Sequence, residues 1–367
     1  MTAKLRQLLT VSVFCALLGL LGILHVVLPD EAVSVSERRK LASVPKISAE
    51  KLFSSEFSDD LETYLLDHFP LRDRFRTLKA SVRFGVFRQS DNNGIYLLDT
   101  DGGTQVCKQE YPTKDAQVQL AIRKMNEISS KYLAGMNVWY AVVPDKNYYA
   151  AAKAGQPGLD YDRIYAMLRE GLQGMTEIDL RDVLTLGDYY RTDTHWRQER
   201  LEPVVARLSE SMGFSYRWAY ETRTLAPFYG VYYGQSALPV EPDTLNYLTN
   251  AATEHAVVTA AEPPETLAVY TPERFAGMDG YDVFLAGAQA ILTVENPDAG
   301  TDRELILFRD SFGSSLAPLL VDSYAKITLI DLRYVSSSIL SEYVDFENQD
   351  VLFLYSTLVL NSGGLLK

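Results

Sequence analysis

The chain has 367 residues, 47% of them apolar and 23% charged, which excludes a disordered polypeptide and leaves ample material for a large buried core. Its 48 acids outweigh 35 Lys and Arg for a net charge of −13, and no long basic run stands out, so nucleic acid is not an expected partner.

The first thirty residues differ in kind from the rest. Lys4 and Arg6 precede an uncharged, mostly apolar stretch from Leu8 to Leu28, and Asp30 and Glu31 follow it. About 20 such residues span a bilayer as a helix. Bases before the span and acids after it place the N-terminus in the cytoplasm and the remainder outside. A cleaved secretory signal is the alternative, but its apolar region is usually shorter, and no small-x-small cleavage pattern follows Leu28. A lipoprotein anchor at Cys15 is disfavoured by the bulky Phe14 before it. The expected arrangement is a single-pass signal anchor over 1–30, a polar juxtamembrane linker over 31–50 and an extracytoplasmic domain over 51–367. Cys15 lies in the span and Cys107 outside it, so the two cannot pair. An exported chain without a disulfide fits a bacterial cell surface.

From Lys51 to Phe84 apolar residues recur at helical spacing, and Pro70 splits the pattern into two helices. A helix is predicted from near Asp115. The run "MNVWYAVVPDK" (136–146) then reads as a buried strand ending at Pro144, and "MTEIDL" as a second. Residues 213–302 are rich in Tyr and Pro with weak alternation, and read as an inserted region with small antiparallel strands. Three more strands follow in "ELILFR", "AKITLIDLR" and "DVLFLYS", with a helix near 336–343 between the last two. Strands alternating with helices give an α/β fold, a parallel sheet covered on both faces.

Ligands of such sheets collect at the carboxyl ends of the strands. "LILFRDSFGSS" delivers Ser311 there, at the first turn of a helix, where Phe312, Gly313 and Ser314 offer backbone N–H groups to an oxyanion. Helix capping by Ser311 or Asp310 is the plainer alternative. A serine nucleophile needs a base, and "YYRTDTHW" (189–196) supplies one. Asp193 two residues before His195 can meet that imidazole's other nitrogen, fix its tautomer and stabilise its charged form. Trp196 either walls the site or packs the loop. A metal site built from Asp193, His195 and Asp310 is the competing reading. His68 and His255 stand in unrelated contexts, and no HExxH, HxH or cysteine cluster accompanies them.

"DTHW" with "RDSFGSSLAPLL" and "IDLRYV" resembles the DHHW family of Gram-positive bacteria, related to the alginate O-acetyltransferases of the AlgJ/AlgX type. "SERRKLASVPKIS", "DHFPLRDRF" and "VVPDKNYY" resemble the same family, so the likeness runs from about residue 36 to 356. It implies a three-layer α/β/α SGNH-hydrolase-like domain in which the Asp-x-His element precedes the serine. It carries over Asp193, His195 and Ser311 as the triad, and points to Arg333 and Lys146 near the substrate. A salt bridge at a strand end is the alternative for Arg333, and plain solvation for Lys146. The chain departs from the family pattern at Thr194, where a second histidine is expected, yet the Asp-x-His spacing survives.

The expected function is a membrane-anchored, extracytoplasmic O-acetyltransferase or acetylesterase acting on a surface polysaccharide, with no cofactor and no metal. The resemblance also implies a membrane-bound O-acyltransferase partner that supplies acyl groups. Two rivals are a non-catalytic polysaccharide-binding or export scaffold, whose "FYGVYYG" (228–234) would stack on sugar rings, and a metal-dependent phosphoesterase.

Overall fold

The computed structural model describes residues 2–261 and 263–367. The chain divides into two compact units, Met1–Gln89 with Ala237–Pro239, and Ser90–Ser236 with Val240–Lys367.

In the first unit the apolar stretch forms helix α1 (Ala3–Val27), long and apolar enough to cross a membrane, with none of its residues buried. Helices α2 (Glu56–Asp67) and α3 (Arg72–Ser81) follow, separated as predicted at Pro70. Leu71 takes a positive φ of 58° at the break, and α3 runs on through a wide turn, Val82–Val86. The segment expected as a linker is tied down. Glu37 sits 2.6 Å from Arg72 and 3.0 Å from Arg39, and Asp67 accepts from Arg39 and from the Ala42 N–H. These helices fall in the same unit as α1, whereas the sequence reading grouped them with the 51–367 domain.

The second unit begins with a hairpin, β1 (Ile95–Thr100) and β2 (Gly103–Lys108), and helix α4 (Asp115–Tyr132). Then come β3 (Val138–Val143), α5 (Lys146–Ala154), α6 (Tyr161–Gly171), β4 (Thr176–Ile178) and α7 (Glu202–Met212). The expected insert supplies an antiparallel pair, β5 (Glu221–Phe228) and β6 (Asp243–Thr249), and three strands β7 (Val257–Ala260), β8 (Glu265–Leu267) and β9 (Ile291–Glu295). The chain closes with β10 (Glu304–Arg309), the short helix α8 (Phe312–Leu316), β11 (Lys326–Ile330) and β12 (Asp350–Ser356).

Eight of these strands form one sheet in the order β8-β7-β9-β11-β10-β12-β3-β4. The five from β11 to β4 are parallel. The other three pair antiparallel, so the sheet is mixed, and part of the expected insert is its edge. The parallel strands are apolar throughout because both their faces are buried. Leu305 and Leu307 of β10 join one core with Leu352 and Leu354 of β12, under Val204, Val205 and Leu208 of α7. Ile306 and Phe308, on the opposite face, join another with Val351 and Phe353, under α4 and α6. Each such side chain contributes about 1.5–3 kcal/mol by leaving water. The result is a three-layer α/β/α fold. Connections leave β10 and β3 toward opposite edges, which opens the carboxyl ends of β10 and β12 to a ligand.

Candidate active site

Three strands deliver chemistry to that carboxyl edge. After β10 the chain turns sharply at Asp310, whose carboxylate accepts the Phe312 N–H at 3.0 Å and the Ser356 N–H at 2.7 Å. The turn presents Ser311, which is partly exposed while Phe312 to Leu316 are buried. Gly313 is required for packing. A Cβ there would lie 2.6 Å from that of Arg309, whose buried guanidinium reaches past the turn to donate to Ser314 Oγ at 3.1 Å.

The loop after β4 brings the imidazole. Asp193 is fully buried and accepts from its own histidine at His195 Nδ1 (2.6 Å) and at the His195 backbone N–H (3.0 Å). Its other oxygen accepts the Val231 N–H at 2.7 Å. With Nδ1 donating to a carboxylate, Nε2 is left as the acceptor, and Ser311 Oγ lies 2.8 Å from it. One face of the ring is covered by Tyr281, stacked at 3.8 Å with the planes 8° apart. The Tyr281 hydroxyl donates to Ser315 Oγ at 2.7 Å, which ties the stacked ring to the helix carrying the serine.

The loop is fixed from three sides. Asp243 accepts the Arg191 and Thr192 N–H groups and the Thr192 hydroxyl at 2.7–3.0 Å. Gly230 donates to Thr192 Oγ1 at 2.9 Å, and a Cβ at Gly230 would collide with the Thr192 carbonyl and with Asp193. Thr194, where the family pattern has histidine, receives the Tyr232 hydroxyl at 3.1 Å.

Lys146 supplies the third side and is a correction to its expected place near substrate, or in solvent. It is 1% exposed, and its ammonium donates to the carbonyls of Val106, Tyr190 and Arg191 at 2.7–2.9 Å. Burial pushes its pKa down, and nearby Cys107, Asp243 and Asp193 oppose that shift. All three donors are spent on backbone, so Lys146 holds the loop.

Three further expectations change. Trp196 is fully buried, donating from Nε1 to Ser315 Oγ at 2.9 Å and to the Phe312 carbonyl at 3.2 Å. It staples the histidine loop to the serine helix and is not a wall for substrate. Arg333 lies at the end of β11, engaged by both oxygens of Asp331 at 2.9 and 2.6 Å, as the strand-end salt bridge. The proposed oxyanion donors are also occupied. Phe312 N–H goes to the Asp310 carboxylate, Gly313 N–H to the Asp310 carbonyl at 3.0 Å, and Ser314 N–H to the Ser311 carbonyl at 3.2 Å. The helix start was counted as open, but Asp310 closes it. The Ser311 N–H has no acceptor among the described residues.

The metal reading requires Asp310 as a third ligand, and both its oxygens are committed to backbone N–H groups. Among the described residues no cluster of three His, Cys, Asp or Glu is arranged for a metal. Sequence reasoning missed Tyr281, Asp243 and Gly230. The only available signal was the glycine in "FYGVYYG", which breaks a tyrosine-rich run at the point of closest approach.

No family profile and no curated protein matches the sequence. Among solved structures, a DHHW family protein from Eubacterium siraeum is similar with a TM-score of 0.61 at 21% identity, over 75% of this chain and 95% of that one. PatB1 of Bacillus cereus is similar with a TM-score of 0.57 at 16% identity, over 74% of this chain and 99% of that one, and has also been solved with a sulfonyl adduct. The O-acetyltransferase domain of Pseudomonas putida AlgJ matches with a TM-score of 0.44 at 16% identity, over 74% and 93% of the two chains. The resemblance to the DHHW family drawn from short motifs thus recurs as a shared fold.

Proposed function

We propose that this protein is a membrane-anchored, extracytoplasmic Ser–His–Asp enzyme that transfers an acetyl group to a hydroxyl of a surface polysaccharide. The observation that carries the reading is the unbroken relay from Asp193 to His195 to Ser311 at 2.6 and 2.8 Å, with Ser311 its partly open end. A buried carboxylate, an oriented imidazole and an accessible hydroxyl are what acyl transfer through a serine ester needs.

Ser311 Oγ attacks the acyl carbonyl as His195 Nε2 takes its proton, and the Ser311 N–H faces the oxygen on which charge develops. Collapse expels the donor alcohol, which receives that proton from His195 and leaves acetyl-Ser311. An acceptor hydroxyl then gives its proton to Nε2, attacks the acyl-serine and releases the product, and the proton returns to Ser311. Water in the acceptor's place gives hydrolysis. The sequence resemblance to relatives of alginate O-acetyltransferases supports a polysaccharide acceptor and a membrane O-acyltransferase as donor partner. The apolar α1 with bases before it and acids after it supports the anchor and its orientation.

The test uses the full chain in detergent with p-nitrophenyl acetate and a sulfonyl fluoride. The wild type should release p-nitrophenol and become sulfonylated at Ser311. Ser311→Ala and His195→Ala should lose roughly 10³-fold or more of the rate with Tm unchanged. Wild-type rates in both variants would remove the enzymatic reading.

A further inference from the structure

The second place where this molecule departs from ordinary burial is α3. Leu71, Phe75 and Leu78 fall at i, i+4 and i+7, one stripe along the helix, and are 51%, 46% and 57% exposed. The stripe continues past the helix end into Val86, exposed like the others, and Phe69 packs edge-on against Phe75. A leucine–phenylalanine face of this length, open to water, is not a stable arrangement for an isolated surface helix.

Its flanks are mainly basic, although Asp30, Glu31, Asp67 and Asp73 line the cleft where it begins. From Arg72 to Arg88 the sequence has six of the chain's 35 bases and one of its 48 acids, so the bases that seemed dispersed collect here. Arg74 and Lys79 are exposed and, at helical spacing, border the stripe on its two sides. The one acid, Asp73, lies 3.2 Å from Arg76, away from the stripe. An apolar face edged by bases is the pattern of a helix lying in the headgroup layer of an anionic membrane.

The first unit also fixes where this helix starts relative to the apolar span. A cleft of about 450 Å³ is lined at once by His25 and Leu28, where α1 ends, and by Phe69, Leu71 and Arg74, where α3 begins. His25 Nδ1 lies 3.1 Å from the His68 carbonyl, and the Tyr64 ring meets both imidazoles, edge-on to His25 and tilted to His68. The stripe therefore opens beside the point at which the span leaves the hydrocarbon.

We infer that α3 is an interfacial helix that seats Leu71, Phe75 and Leu78 in the bilayer surface, with Arg74 and Lys79 on anionic phospholipid headgroups. The inference rests on reading α1 as a membrane anchor. It adds a second attachment, which holds the first unit flat on the membrane, where a lone span would leave it to swivel.

Full-length protein is reconstituted in phosphatidylglycerol vesicles with brominated acyl chains, and in matched unbrominated ones. Phe14→Trp reports on the span, Phe75→Trp and Leu78→Trp on the stripe, each against the parent's emission. Folding is checked by p-nitrophenyl acetate turnover, which α3 does not enter. Both classes of tryptophan should lose most of their added emission to bromine. Arg74→Glu with Lys79→Glu, in the Leu78→Trp background, should lower the docked-to-undocked ratio by about fivefold per charge. Quenching at position 14 without quenching at 75 and 78 overturns the inference, leaves the anchor standing and assigns the stripe to a protein partner or a second copy. Absence of quenching at all three positions overturns both. Quenching at 78 that ignores the two charge reversals, or is equal in phosphatidylcholine, overturns the anionic part.

Discussion

Asp193 is a carboxylate with no exposure, and Leu78 on α3 is a leucine 57% exposed. Each stands against the usual partition of polar and apolar groups, and the two regions tolerate it differently. Around Asp193 the charged groups are offset locally, although the Tyr190 hydroxyl and two Arg309 nitrogens are buried without a hydrogen-bond partner among the described residues. The carboxylate accepts His195 and the Val231 N–H, Lys146 spends its three donors on three carbonyls, and Trp196 donates to Ser315. In the first unit, charges such as Asp67 and Arg39 are paired, but Leu71, Phe75 and Leu78 of the apolar stripe stay about half exposed. A cluster whose buried charges are paired is built to hold one geometry. An uncovered apolar face is built to meet a surface.

The largest effect that would break this comparison is at Asp193. Asp193→Asn keeps the size but offers an NH₂ where Nδ1–H or the Val231 N–H needs an acceptor. The rate with p-nitrophenyl acetate should fall by roughly 10³–10⁴-fold with the fold intact. A loss of only a few-fold would make Asp193 a loop builder and no more. Gly230→Ala comes next. Its Cβ meets the Thr192 carbonyl, so the loop must shift, with a rate loss of roughly 10²-fold and a destabilisation of roughly 1–3 kcal/mol by denaturant titration.

Lys146→Met fills the same space without donors and leaves the carbonyls of Val106 and Tyr190 unpaired, while that of Arg191 keeps the Val106 N–H. We expect about 3 kcal/mol of lost stability and a fall in kcat with KM unmoved. A rise confined to KM would restore Lys146 to the substrate side. The smallest effect belongs to the first unit. The hydrogen bond from Arg39 holds the Asp67 carboxyl at about 2, below its ordinary 3.8, despite burial. A depressed carboxylate stabilises the fold above pH 3.8, and that contribution is lost as pH falls through about 2. Asp67→Asn should therefore weaken amide-exchange protection in α2 at neutral pH, and the gap to wild type should close toward pH 2. A gap that widened in acid would reverse the assignment.

Much of the sheet was legible because burial on both faces writes itself as an unbroken apolar run. "VWYAVV", "LILF" and "VLFLY" could be nothing polar-faced. The edge strands β7, β8 and β9 were not, since three to five residues of weak alternation do not separate a sheet edge from a small local hairpin. Ser311, His195 and Asp193 were legible as residue types at suggestive positions. The amides of Phe312 and Gly313 were misread because a helix start has open N–H groups only if nothing caps it, and Asp310 does. Lys146 was misread for a similar reason. Solvent is the default for lysine, and its burial depends on carbonyls contributed by β2 and by the loop after β4.

What the sequence alone determined is short in range: the apolar span, the parallel strands, and an aspartate two residues from its histidine, close enough that the loop itself joins them. Tertiary structure decided whatever needs distant segments to meet. His195 and Ser311 are 116 positions apart, and only the order of strands in the sheet brings Nε2 within 2.8 Å of Oγ. The same holds for the exposed face of α3, because helical spacing shows that a stripe exists, and only packing shows that its leucines and phenylalanine stay exposed among the described residues. Local patterns follow from backbone periodicity, but long-range contacts depend on which surfaces the whole chain buries together.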